Sequence, residues 1–133
     1  MGLLIDTSIF VAAERGQLDE DRLAVMGADQ SISLSAITAS ELLHGVERAD
    51  TAQRRARRAA FVEAVLATVN VLAFDLDVSR VHARIWADLR AKGQPIGAHD
   101  LLIAATALHH GLAIATRNER EFRRIPELVV ETW

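Results

Sequence analysis

Short apolar runs alternate with longer amphipathic stretches along this chain. The short runs favour strands, and the longer stretches repeat apolar residues at helical spacing. The pattern predicts strands at 3–5, 31–34, 70–74, 112–116 and 128–131, and helices at 7–14, 19–28, 38–47, 51–69, 77–91, 98–110 and 118–124. This alternation is typical of an α/β fold: a three-layer α/β/α sandwich with a small, mainly parallel sheet.

Length and composition indicate a single globular domain over residues 1–133, of which 50% are apolar and 25% charged. No apolar run approaches the roughly 20 residues of a membrane helix, and the N-terminus lacks the features of a secretory signal. Cysteine is absent, which excludes disulfides, thiolate nucleophiles and cysteine-bound zinc. We therefore expect a cytoplasmic protein without a membrane partner.

The formal net charge is -3 at pH 7. A protein that binds nucleic acid through a broad phosphate-neutralising surface is normally basic. A nucleic-acid function in this chain therefore requires a local basic patch or bound cations.

Two predicted strands end in polar residues. In "LLIDTSIF" the strand 3–5 is followed by Asp6, and in "LAIATRNEREF" a strand ends at Thr116 and is followed by Asn118 and Glu121. Ligands of open parallel sheets bind beyond the carboxyl ends of the strands. Asp6 and Glu121 are therefore expected at one edge of the sheet.

Two further acids lie on predicted helices. Glu41 is the only acid in the apolar, small-residue segment "ITASELLHGV", and Asp100 lies in the first turn of "IGAHDLLIAATAL". The helix dipole favours a carboxylate in a first turn. Because the second helix is apolar almost all round and therefore buried, Asp100 has to emerge at its end.

Each acid also has an ordinary explanation. Asp6 could cap the helix that begins at Thr7, Asp100 could support its own helix, and Glu41 and Glu121 could be solvated surface residues. Together the four acids predict a cation site, because carboxylates about 4 Å apart repel by roughly 4 kcal/mol unless cations neutralise them. Mg²⁺ and Mn²⁺ prefer oxygen ligands, and such ions suit phosphodiester hydrolysis.

The ordered segments "LLIDTSIF", "ITASELLHGV", "GAHDLLIAATAL" and "TRNEREF" closely resemble PIN-domain proteins, in particular the VapC-type toxins of bacterial toxin-antitoxin modules. The resemblance spans nearly the whole chain. It implies an Mg²⁺- or Mn²⁺-dependent endoribonuclease with one or two ions in an acidic pocket. It also implies a homodimer and a cognate VapB-type antitoxin. A PIN-like module that binds RNA or protein without cutting is the alternative.

The resemblance assigns the family's acids residue by residue. The first three fall on Asp6, Glu41 and Asp100, and these residues would hold the metal and carry catalysis. The fourth position falls either on Asn118 or on Glu121, and Glu121 matches the usual toxin pattern. Thr7 and Ser8 would orient the Asp6 carboxylate by their hydroxyls, and Thr116 and Asn118 would also lie beside the pocket.

Two rival metal sites share these residues. Glu41 and His44 have the spacing of a di-iron Glu-x-x-His pair, but that site requires a second such motif and four long helices. His99 and Asp100, with His82 upstream, are similar to the His-Asp doublet of all-helical phosphohydrolases, which the predicted strands contradict.

Arginines near these motifs could bind RNA phosphates. The candidates are Arg117, Arg120, Arg54 and Arg55, the last two within the run "RRARR". The same run also fits the solvated face of an amphipathic helix, so the sequence leaves both interpretations open.

Overall fold

The computed structural model describes residues 1–19, 21–22, 24 and 31–133. The strands are β1 Leu3–Ile5, β2 Ile32–Ser35, β3 Asn70–Leu72, β4 Ala113–Thr116 and β5 Val130–Thr132. The helices are α1 Thr7–Glu14, α2 Ala36–Glu47, α3 Ala52–Thr68, α4 Leu76–Ala91, α5 Ala98–His109 and α6 Glu119–Phe122. The helix expected at 19–28 falls mostly outside the described residues. None of the described helices is long and apolar enough to cross a membrane.

All five strands join one parallel sheet in the order β3-β2-β1-β4-β5. Leu4 of β1 lies opposite Ser33 of β2 on one side and Ile114 of β4 on the other. β1 is therefore the central strand, and the residues that follow β1 and β4 emerge next to each other at the carboxyl edge. The prediction of an α/β fold with a mainly parallel sheet is confirmed.

Successive side chains of the central strand enter two separate cores, one on each face of the sheet. Leu4 packs with residues of α4 and α5, whereas Ile5 packs with residues of α1, α2 and α3. Both side chains are completely buried. Helices thus cover both faces, which gives the three predicted layers and fixes the strand ends that carry the polar residues.

Local capping sets the helix ends. The Ser35 hydroxyl accepts the Thr38 N–H at 3.0 Å, so α2 begins at residue 36 instead of the predicted 38. Gly111 follows the end of α5 with φ +65°, a conformation that glycine adopts without a side-chain clash. The helix therefore ends at this glycine, and α5 presents its N-terminal turn to the carboxyl edge of the sheet.

Candidate active site

Asp6 lies directly after β1 and is buried, with only 4% of its surface exposed. Asp6 immediately precedes α1. Its side chain makes no capping hydrogen bond to this helix, all of whose residues are described. Its Oδ2 atom instead accepts hydrogen bonds from the hydroxyls of Ser8 at 2.7 Å and Thr116 at 2.8 Å. Asp6 therefore occupies the N-cap position of α1, but its carboxylate does not cap the helix.

The two hydroxyls that hold Asp6 are themselves held by the segment after β4. The Arg117 N–H donates to Ser8 Oγ at 3.1 Å, and the Asn118 N–H donates to Thr116 Oγ1 at 2.9 Å. These bonds join the ends of the two central strands. They also fix one oxygen of the Asp6 carboxylate, while no hydrogen bond from the described residues reaches Oδ1.

Glu41 projects from α2 and is held by a different hydroxyl. Thr7 Oγ1 donates to Glu41 Oε1 at 2.8 Å and lies 3.1 Å from the hydroxyl of Thr38. On the other side, His99 Nδ1 lies 3.6 Å from Glu41 Oε2. Thr7 thus orients Glu41 and not Asp6, which corrects the expectation that Thr7 and Ser8 share one carboxylate.

Asp100 and Glu121 complete the group of acids. Burial, a hydrogen bond with Glu121 and the negative charges of Asp6, Glu121 and Glu41 raise the pKa of Asp100 from 3.8 to about 7. The Gly97 N–H donates to Glu121 Oε2 at 3.3 Å, next to the first turn of α5. The four acids therefore interact electrostatically, as they would in one acidic site at the carboxyl edge of the sheet.

The donor set of this site suits a hard divalent cation, because all four side chains offer carboxylate oxygens and their mutual repulsion is relieved by positive charge. The ligands do not already surround a single point: within the described residues, no three His, Asp or Glu side chains are grouped closely enough to hold an ion.

Asn118 and Glu121 occupy different positions in the site. The backbone N–H of Asn118 donates to the Thr116 hydroxyl. The Asn118 side chain makes no capping hydrogen bond to α6, all of whose residues are described. Glu121 bonds with Asp100 and contributes directly to its raised pKa. Of the two residues, Glu121 is therefore the one whose carboxyl group lies among the acids.

Sequence reasoning missed two supports of the site, Thr38 and the Gly97 N–H. Thr38 is fully buried and lies three residues before Glu41, so helical spacing alone places both on one face of α2. The Gly97 contact with Glu121 spans 24 residues and has no local signal.

The rival histidine sites do not form. His82 lies between aromatic rings, with centroid distances of 5.8 Å to Phe74 and 5.5 Å to Trp86, while His99 contacts Glu41. The described residues form a parallel sheet covered by helices and not a four-helix bundle, which contradicts the di-iron interpretation of Glu41 and His44.

The four candidate RNA-binding arginines differ in their contacts. Arg54 donates to both carboxylate oxygens of Asp50 at 2.9 and 2.8 Å, and Arg55 lies within bonding distance of two backbone carbonyls. Arg117 and Arg120 are exposed beside the acidic site, and the described residues offer their side chains no hydrogen-bond or ion-pair partner. The first pair therefore belongs to the solvated helix face.

Comparison with known proteins agrees with this geometry. The PIN domain family model matches residues 3–128. The chain is 40% identical over 132 residues to "Ribonuclease VapC1" of Rickettsia felis, which covers 99% of this chain and 96% of the relative. It is 37% identical over 100 residues to "tRNA(fMet)-specific endonuclease VapC" of Salmonella typhimurium, over 75% of this chain and 74% of that protein.

Two solved structures share the fold of this chain over its whole length. The crystal structure of DNA-bound VapBC from Salmonella typhimurium matches with a TM-score of 0.89 at 30% identity, over 100% of this chain and 98% of the other. That of VapBC2 from Rickettsia felis, bound to a promoter DNA fragment, gives a TM-score of 0.88 at 26% identity, over 100% and 99% of the two chains.

Proposed function

This chain belongs to the PIN domain family, and on that premise we propose that it is a metal-dependent endoribonuclease, the toxin of a type II toxin-antitoxin pair. The observation that carries the proposal is the position of four acids at the carboxyl edge of the sheet: Asp6 held by Thr116, Glu41 held by Thr7, and Glu121 bonded to the Gly97 N–H beside the first turn that carries Asp100. A bound cation would relieve the repulsion among these carboxylates, and a cation among carboxylates suits cleavage of a phosphodiester. The proposed nuclease domain comprises residues 1–133.

Asp6, Glu41, Asp100 and Glu121 would hold one or two Mg²⁺ or Mn²⁺ ions. The bound cation would supply a more acidic water and would neutralise charge on the phosphate and on the leaving oxygen. The amino-acid side chains position the ligands. Ser8 and Thr116 fix Asp6 through Oδ2, and Thr7 fixes Glu41 through Oε1.

The Asp100 carboxyl group also carries a proton part of the time. With a pKa of about 7 it is close to half protonated at neutral pH, and it shares its hydrogen bond with Glu121. Loading the site with a cation favours the ionised form, so we expect metal binding to release a proton from this pair.

A VapB-type antitoxin is the proposed protein partner. The support is that the similar solved structures are VapBC complexes. A homodimer is proposed on the family resemblance. The proposed location is the cytoplasm.

Cleavage of a mixed RNA pool tests the enzymatic proposal. Wild type should cut in Mg²⁺ or Mn²⁺ and not in EDTA, while Asp100→Asn should lose the activity under all conditions. If wild type binds RNA but never cuts it, the chain is the RNA-binding module that is the alternative. Equal cleavage by both proteins would place the reaction outside this site.

A further inference from the structure

A cleft of about 520 Å³ opens between α1, α2 and α3, next to Glu41 and His99 of the acidic site. Its volume lies in the range of roughly 300–1,000 Å³ that is usual for binding clefts. We call it the α1–α2 cleft. The charged and imidazole side chains that line it are Glu14, Arg15, His44, Arg48, Arg58 and His99, in addition to Glu41.

Arg58 is a structural part of the cleft. Its Nε atom lies 3.3 Å from Glu14 Oε1, and its Nη1 atom donates to the Gly45 carbonyl at 2.8 Å. Arg58 therefore neutralises Glu14 and ties α3 to both α1 and α2.

Arg15 and Arg48 differ from Arg58 because both are exposed, and neither side chain forms an ion pair or hydrogen bond with a described residue. They follow the ends of α1 and α2, where the helix dipole favours a cation. The dipole accounts for a positive charge at each helix end. It does not account for two guanidinium groups that line one cleft leading to the acidic site while neither bonds with a described residue.

We propose that the α1–α2 cleft binds the RNA strand beside the scissile phosphodiester, with Arg15 and Arg48 as its phosphate-binding groups. This inference rests on the proposed ribonuclease function. Guanidinium groups bind phosphate oxygens by paired charge-assisted hydrogen bonds. A chain of net charge -3 cannot attract a polyanion over its whole surface, so a local cationic cleft supplies the attraction.

Salt-dependent RNA binding tests the proposal. The protein would carry Asp100→Asn to prevent cleavage, and its affinity for a short, fluorescently labelled single-stranded RNA of mixed sequence would be measured by anisotropy in Mg²⁺ over a series of KCl concentrations. The double variant Arg15→Gln/Arg48→Gln should bind about tenfold more weakly at low salt. Its slope of log K against log salt should fall by about 0.7 for each phosphate that the variant no longer neutralises.

Arg54→Gln/Arg55→Gln is the matched control, because it removes the same charge from arginines that bond within the chain. Its slope should stay close to that of the parent. An equal loss of affinity in both double variants would reduce the effect to net charge and overturn the proposal. An unchanged slope in the cleft variant would also overturn the proposal. The cleft would then bind a protein segment and not RNA.

The wild-type cleavage assay separates this inference from the function on which it rests. If wild type cuts RNA in Mg²⁺ and the cleft variant keeps the parent slope, only the cleft proposal fails. If wild type neither cuts nor binds RNA, both proposals fail. Melting temperatures of all variants, compared with their parent, show whether a weaker affinity reflects impaired folding.

Discussion

The Thr116 hydroxyl donates a 2.8 Å hydrogen bond to Oδ2 of Asp6, a residue 110 positions earlier in the chain. Thr116 is the last residue of β4 and is fully buried, and Asp6 directly follows the neighbouring parallel strand β1. The same hydroxyl accepts the Asn118 N–H, so it connects the first proposed ligand to the segment that leads to Glu121. Thr116 is therefore a positioning residue of the site.

Thr116→Val should lower the rate of RNA cleavage by about 10- to 100-fold, the usual effect of losing a hydrogen bond that orients a metal ligand. Thr116→Ser keeps the hydroxyl and should retain most of the activity. Thr106→Val is the control, because the Thr106 hydroxyl is also buried but bonds to Leu102 within its own helix. If both valine variants lose the same amount of activity, the loss reflects lower stability of the protein and not the position of Asp6.

Glu121→Gln should abolish cleavage, whereas Asn118→Ala should retain most of it. The reason is that the Glu121 carboxyl group bonds with Asp100, while Asn118 supports Thr116 through its backbone N–H, which alanine keeps. The measurement is the initial rate of RNA cleavage at saturating Mg²⁺. The opposite ranking would assign the fourth ligand position to Asn118.

In the metal-free protein, the contribution of Asp100 to the free energy of unfolding should fall as the pH rises from about 4 to about 7. Asp100 has a pKa of about 7 in the folded protein and 3.8 as its ordinary value, so between these values the folded state binds more protons than the unfolded state. Above pH 7 the penalty of the charged carboxylate is fully present, and below pH 4 it is absent.

Asp100→Asn removes this titration. In EDTA at about pH 8 the variant should be more stable than wild type, by on the order of 1 kcal/mol after solvent screening is allowed for, and the gain should vanish toward pH 4. Urea unfolding at several pH values measures it. Asp50→Asn is the control of opposite sign, since its hydrogen bond with Arg54 lowers the pKa of Asp50. A gain that is independent of pH would contradict the assignment.

Mg²⁺ should raise the melting temperature of wild type, because a ligand that binds the folded state stabilises it by about 2.7 kcal/mol at a hundred times its Kd. Asp6→Asn should reduce this increment. Glu127→Gln should leave it unchanged, because Glu127 is half exposed and pairs with Arg84 on the surface. An increment that persists in Asp6→Asn would place the bound cation elsewhere.

Much of the fold was predictable because it depends on local patterns. The short apolar runs and the helical spacing predicted the strands and the described helices, with boundaries that shifted by about two residues where caps such as Ser35 intervened. Asp6 and Thr116 were predicted at strand ends for the same reason. In a parallel sheet, such residues share an edge whatever the rest of the chain does.

Contacts between residues distant in the sequence could be identified only from the tertiary structure. Nothing near Thr7 indicates that its hydroxyl bonds with Glu41, 34 residues away, instead of with Asp6. Nothing near Arg15 or Arg48 indicates that both line one cleft. The raised pKa of Asp100 likewise arises from burial and from acids on other elements. The sequence alone determined which elements form and where the acids lie along them. The packing of those elements decided which side chains meet, because strand register and helix docking set distances that local periodicity does not contain.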